Sequence, residues 1–494
     1  MLNKNKTSLR IMFLSLLFTG MVFAAFFYQY RCLPLSYDID TFVYYRITRS
    51  ILQLDFPAAE SIGMSPLFPL AVLPMYILTG LRESLFLTNI MLFVIFITML
   101  FFFTENYIGE KKAFILCVFC MIDPHIMHLI FTGYSEILAY VMIISGLFLF
   151  FVKERYFVSA AFFSLALLTR PEFLFLFPFL IIIRFSGKPK KIIKTALFFI
   201  IFVLTVNYTL LTPLTASDHN PFISKYHFIF FALEDYIKAE NKEAFFSNIY
   251  FIGNETYSPE RVNLFIEDRK KDIKRYIIKF PKYYIINTFL VIKTLFSNLW
   301  YYLVFIIGYG IISKNRQVLK YSLAFLTPIF IISSTPVESS GIRYFIYFIP
   351  IAYFCFIRLI NNKISYIILG AFLIMFTFAN VEKVFSEAAN FNKELSILRE
   401  NSISGVNLMT NISWLAFETD CTWIMPPPFA HTDKHIDFDH YVTEKKVDYL
   451  ILDFDWRSLG SEFYNDSLRK YITETNMFRS VHTQTLFRVE KYED

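Results

Sequence analysis

Pro66-Leu67-Phe68-Pro69-Leu70-Ala71-Val72-Leu73-Pro74-Met75-Tyr76-Ile77-Leu78-Thr79-Gly80-Leu81 is apolar enough to enter a membrane and too short to cross one. A crossing helix needs about 20 apolar residues; this run has only about 16 and carries three prolines, each of which removes a backbone donor. The orientation of everything downstream hangs on it. Counted as a full span, it sends Lys111-Lys112 to the outer side. Counted as an embedded, non-crossing helix, it leaves Lys111-Lys112, Lys153-Glu154-Arg155, Lys188-Pro189-Lys190-Lys191, Lys314-Asn315-Arg316 and the basic stretch from Arg358 to Lys363 all cytoplasmic, as the positive-inside rule requires. The non-crossing helix is expected.

Composition agrees with a chain built for lipid. Of 494 residues 56% are hydrophobic, with 61 Phe, 31 Tyr and only 14 Gly, and the mean hydropathy is +0.48. Such values exclude a soluble globular domain and point to an α-helical polytopic membrane protein. The net charge of +6 comes from Lys and Arg in short loops between apolar runs, so it reports topology, and no nucleic-acid partner is expected. Five cysteines, Cys32, Cys117, Cys120, Cys355 and Cys421, are scattered; Cys117 and Cys120 share a helical face, where core packing is favoured over metal.

Lys4, Lys6 and Arg10 precede an apolar run from Ile11 to Tyr30, which reads as a retained signal anchor with a cytoplasmic N-terminus. Spans are expected at about 11–30, 85–104, 113–131, 137–152, 156–169, 172–184, 192–211, 285–312, 318–334, 343–359 and 364–379. Eleven crossings place the C-terminus outside. Residues 1–380 then form a transmembrane catalytic domain with outer loops at 31–84 and 212–284. Residues 381–494 form a small α/β extracytoplasmic domain, with β-like runs at Gly405 to Met409, Thr422 to Met425, Val447 to Leu452 and Thr485 to Val489. The low Gly and high Phe, Ile and Lys content suggests an AT-rich genome, so a bacterial cytoplasmic membrane is expected.

Ionisable groups near bilayer depth cost about 2.5–3.5 kcal/mol each, which makes them candidates for function. On this topology Asp38 and Asp40, Glu136, Arg170 and Glu172, and Arg343 face one outer compartment. The arginines suit phosphate oxygens, and a carboxylate can take a proton from an attacking hydroxyl. Asp40 with Glu136 could hold Mg²⁺ or Mn²⁺, hard ions that prefer oxygen ligands. Each has a plainer alternative: Asp38 and Asp40 as a solvated loop, Glu136 as a charge at a helix start, Arg170 and Glu172 as a structural pair, Arg343 as a snorkelling side chain. His125 and His128 are expected to be interfacial rather than ligands, and Glu60 to be solvated. Asp453, Asp455 and Trp456 read equally as a surface loop or a sugar contact.

Asp38 directly after the first span, then Ser65-Pro66-Leu67-Phe68-Pro69-Leu70, then Leu167-Leu168-Thr169-Arg170-Pro171-Glu172 with Phe177-Pro178 behind it, resembles the GT-C polytopic glycosyltransferases, in particular the protein O-mannosyltransferase and lipid A aminoarabinose transferase group. The resemblance covers roughly residues 10–380. It implies a polyprenyl-phosphate-linked sugar donor, a glycan, glycolipid or protein acceptor on the outer side, and inversion at the anomeric carbon. It maps the catalytic acid onto Asp38 or Asp40, with Asp38 preferred and Asp40 as partner, and the second acid onto Glu136. Arg170 and Arg343 are expected against the donor phosphate, Glu172 as a supporting acid. Ser65-Pro66-Leu67 departs from the usual Pro-Pro-Leu, and no Trp-Trp-Asp motif is visible, which argues against an oligosaccharyltransferase. A transporter or flippase for a lipid-linked intermediate is the alternative class, opposed by the lack of an inverted repeat; an O-antigen polymerase-like enzyme is closer in chemistry.

Overall fold

The computed structural model describes residues 39–54, 65, 67–79, 83–211, 233–234, 236–238, 273–313, 320, 324–333, 345–359, 363–410, 413–424, 442–451, 478–482 and 486–490. They fall into two compact units. The first holds the described residues of 43–233 and 274–382; the second holds those of 32–42, 234–273 and 383–494.

The first unit is helical. Two short helices, α1 (Ile39–Gln53) and α2 (Leu67–Thr79), precede the long α3 (Glu83–Ile108). The stretch that decides the topology is thus a 13-residue helix with Pro74 inside it. It packs on α1 through Tyr44 against Phe68, ring centroids 5.0 Å apart, and Tyr45 against Tyr76 at 5.4 Å. Next come α4 (Glu110–Ile122), α5 (Pro124–Thr132) and α6 (Glu136–Leu147), which continues into a π-helical turn, Phe148–Val152. Helix α7 (Tyr156–Thr169) is followed by a 3-10 turn (Pro171–Phe173), α8 (Leu176–Arg184), and α9 (Pro189–Val206). The unit also draws on α10 (Ile273–Ser313), α11 (Pro328–Ile332), α12 (Phe348–Leu359) and the first part of α13 (Lys363–Glu400).

Among the described residues, Ser84–Ile108 and Pro189–Thr209 are long and apolar enough to cross a membrane. A third crossing results if the bent pair Ile277–Ser297 and Leu299–Ile312 is one span. The expected segment 156–169 is a single helix, and 137–152 is helical through α6 and its π turn, whereas several others differ in form. The run 113–131 is interrupted at Asp123, whose backbone is extended and whose carboxylate caps α5 by accepting from the His125 and Ile126 N–H groups. Only nine residues of 172–184 form α8, because Pro171 and the 3-10 turn consume the start. The run 285–312 bends by 94° at Leu299 (φ −126°, ψ 19°), with no proline or glycine at the break. Of 318–334 the described helix is Pro328–Ile332, and 11–30 lies outside the described residues.

Close approach of α6 and α7 fixes the middle of this unit. The Ser159 hydroxyl donates to the Gly146 carbonyl at 2.8 Å. A Cβ on Gly146 would meet the Phe163 ring at 2.8 Å. That ring cannot give way, because it stacks on Phe177 at 4.5 Å and both are buried. Small residues at such crossings are the usual device of helix packing in lipid, where apolar burial alone does not favour one partner over another.

The second unit contains a five-stranded sheet of order β2-β1-β3-β5-β4, built from β1 (Asn407–Met409), β2 (Thr422–Ile424), β3 (Tyr449–Ile451), β4 (Phe478–His482) and β5 (Leu486–Val489). The β1, β2 and β3 strands are parallel, with helix α14 (Ser413–Glu418) between β1 and β2; β5 joins antiparallel to β3 and β4 to β5. Four strands fall inside the four runs expected to be β. The fifth, Phe-Arg-Ser-Val-His, stands last in the order of the described strands and has no clean alternation.

Replacing Gly146 by Val should lower stability by about 1–3 kcal/mol through overpacking against Phe163. The thermal unfolding midpoint of the detergent-solubilised chain measures this; an unchanged midpoint would show that α6 and α7 are not in such close contact.

Candidate functional site

The sequence Thr169-Arg170-Pro171-Glu172 builds its own ion pair. A residue before proline is pushed out of the helical region, and Arg170 is extended (φ −140°, ψ 102°), ending α7. The 3-10 turn that follows brings Glu172 back on the guanidinium, with Nε donating to Oε1 at 2.7 Å. Glu136 comes from another element, the first turn of α6, where a carboxylate also suits the helix dipole. Its Oε1 lies 3.2 Å from Arg170 Nη2. All three are buried, Glu136 at 2%, Arg170 at 8% and Glu172 at 7% exposure. Two carboxylates share one guanidinium.

Tyrosines surround this cluster. Tyr140, one turn beyond Glu136 on the same face of α6, is buried. Phe173 lies between the two tyrosine rings, 6.4 Å from Tyr140 and 5.4 Å from Tyr347. The Tyr347 hydroxyl is buried with no hydrogen-bond partner among the described residues. On α1, Tyr44 bonds through its hydroxyl to that of Ser135 at 2.9 Å, fastening α1 to the start of α6.

From Tyr140, Phe173 and Tyr347 an apolar groove of about 350 Å³ runs along α6. Its α6 wall is Ile137, Tyr140, Ile144, Leu147 and Phe151, a helical stripe about 21 Å long at 1.5 Å per residue. Helices α3, α8 and α12 supply the other walls, α12 through Pro350, Ile351, Phe354 and Cys355. At the end away from Tyr140 stands Arg184, paired with Glu154 at 2.9 Å. An elongated apolar space whose lining residues Ile137, Tyr140 and Phe173 neighbour a buried ionic cluster along the chain has the shape and polarity to take an alkyl chain.

Glu136, Arg170 and Glu172 are therefore brought together. Asp38 and Arg343 lie outside the described residues, as do Glu60, Asp453, Asp455 and Trp456; Asp40 is in α1, but its side chain lies outside them too. His125 is half-buried and bonds through Nε2 to the Tyr301 hydroxyl at 3.1 Å; the His128 side chain lies outside the described residues. Cys117 and Cys120 are buried free thiols. Among the described residues no three His, Cys, Asp or Glu side chains stand close enough to hold a metal ion, and Glu136 is engaged by Arg170. Tyr140 and Tyr347 were not anticipated; the four-residue spacing from Glu136 could have flagged Tyr140, whereas nothing in the sequence marks Tyr347.

No family model and no curated protein matches the chain. Among solved structures it is similar to an oligosaccharyltransferase from Archaeoglobus fulgidus crystallised with Zn and sulfate, at 12% identity over 90% of this chain and 69% of that one, with a TM-score of 0.49. It is also similar to ArnT from Cupriavidus metallidurans in the apo state, at 11% identity over 98% of both chains, with a TM-score of 0.42.

Removing the arginine takes away the partner that two buried carboxylates share. Arg170→Met should cost about 3–5 kcal/mol, the usual penalty of orphaning buried charge. Adding Glu136→Gln and Glu172→Gln to it should recover much of the loss. Thermal unfolding of the single and triple variants decides; equal midpoints for Arg170→Met and wild type would contradict a buried ion triad.

Proposed function

We propose that the chain is a membrane glycosyltransferase that moves a sugar from a polyprenyl-phosphate-linked donor to a glycan, glycolipid or protein acceptor on the extracytoplasmic face, with inversion. The observation that carries this is the apolar groove along α6, lined at one end by Ile137, Tyr140 and Phe173, which neighbour the Glu136–Arg170–Glu172 cluster along the chain. Each CH₂ group taken out of water contributes about 0.8 kcal/mol, though a tail arriving from a bilayer gains far less. The groove therefore serves mainly to orient the donor, and the charged end selects its head.

On this proposal Arg170, held in place by its two glutamates, and Arg343 meet the phosphate oxygens. Asp38, with Asp40 beside it, takes the proton from an acceptor hydroxyl. The hydroxyl oxygen bonds to the anomeric carbon as the bond from that carbon to the phosphate oxygen breaks, and the electron pair leaves on the phosphate. A phosphate ester departs without strong acid assistance, so the arginines need only stabilise its charge. The assignment of Asp38 and Asp40 rests on the sequence resemblance.

Mass spectrometry of surface glycans and glycolipids from cells with and without the protein should show one sugar missing when the chain is absent. Asp38→Asn should lower transfer by about 10²–10⁴-fold, the range for loss of a general base, while polyprenyl phosphate binding persists; undiminished transfer would remove Asp38 from the mechanism, and an unchanged glycan profile would sink the activity. A second variant, Ile144→Trp, fills the groove from the α6 side. It should weaken polyprenyl phosphate binding by about tenfold, and wild-type affinity would mean the lipid lies elsewhere.

A further inference from the structure

Asp123 is an ionisable group that the cluster at Arg170 does not use. It is fully buried, at 0% exposure, inside a run otherwise apolar enough to be read as a span. Its Oδ1 accepts from the backbone N–H groups of His125 at 2.9 Å and Ile126 at 3.2 Å. Its Oδ2 accepts from the Tyr353 hydroxyl at 2.6 Å and from the Tyr302 hydroxyl. An ionised carboxylate offers about four acceptor directions, and all are met. Capping α5 needs only Oδ1, and a serine or threonine would serve. Oδ2 does something else: it ties α12 and α10 to the α4–α5 break.

Both ties bear on the groove. Tyr353 is buried beside Phe119 at 5.5 Å, while its neighbours on α12, Phe354 and Cys355, line the groove. Ile126 of α5, three residues after Asp123, lines it as well. Tyr302 comes three residues after the break in α10 at Leu299, and its ring meets that of Tyr353 at 5.8 Å and 81°. His125 and Tyr301 add a parallel bond between the same segments. Two walls of the groove and the bent helix are therefore fastened at one carboxylate.

We propose that Asp123 is a positioning residue that sets the separation of α12 from α5, and through it the fit of a lipid tail in the groove. It has this role only if the groove takes a lipid, as argued above.

The test uses the full-length chain in lipid nanodiscs with undecaprenyl phosphate as probe, reading both dissociation constant and thermal midpoint. Tyr353→Phe removes one hydroxyl and leaves the cap intact; Asp123→Asn keeps the cap and loses the anionic acceptor. Asn89→Ser is the comparison, since Asn89 is buried and donates to the Leu129 and Tyr134 carbonyls at 3.1 Å each but does not line the groove. Tyr353→Phe and Asp123→Asn should weaken binding by about fivefold or more, with midpoints no lower than that of Asn89→Ser, whose affinity should stay within about twofold of wild type. Wild-type affinity in Tyr353→Phe, or affinity that falls in step with the midpoint across all three variants, overturns the positioning role and leaves the lipid site standing. A wild-type chain that does not bind the probe overturns both.

Discussion

Arg170 sits between Glu136 and Glu172 with all three side chains withdrawn from solvent, and the first unit is organised around that contact. In a medium of low dielectric a carboxylate without its partner is costly, so the start of α6, the end of α7 and the 3-10 turn before α8 must meet at one point. Once they do, Tyr140 follows one turn along α6, and Phe173 follows Glu172 directly. The end of the groove is thereby set by the same residues that hold the charge.

Several interhelical polar bonds of the unit are made by residues that do not line the groove. Asn89 reaches the Leu129 and Tyr134 carbonyls, Asn287 reaches the Ser333 carbonyl at 2.8 Å, and Ser159 reaches Gly146. Each joins side chain to backbone between helices, a selective tie in a solvent where apolar surfaces are interchangeable. Asp123 is the largest such tie and the one whose partners stand next to the groove. A groove with mostly apolar walls can accept an alkyl chain; the Tyr347 hydroxyl is the exception among its described lining residues.

What could be read in the sequence divides by range. The turn at Arg170 was legible because proline dictates the backbone of the residue before it and Glu172 is two positions on. The short helix at 67–79 was legible from length and proline content, and four of five strands from composition. Asp123 was not. Its run looks like an ordinary span, and its partners Tyr302 and Tyr353 lie 179 and 230 residues away. The bend at Leu299 escaped for the same reason: no proline or glycine marks it, and the bonds holding the segment beyond it come from another helix. The groove depends on which faces of α3, α6, α8 and α12 turn toward each other, and no single helix reveals that. Asp38 and Arg343 lie outside the described residues, and the roles expected of them remain proposals.

A charged triad at the end of an apolar groove is, on this account, the seat of a lipid-phosphate sugar donor. Cryo-electron microscopy of the full-length chain with undecaprenyl phosphate tests it most directly. The account predicts tail density along the stripe from Ile137 to Phe151, between α6 and α12, with the phosphate beside Arg170. Lipid bound only on the outer surface of α9 or α13, with the groove vacant and the phosphate remote from Arg170, would contradict it.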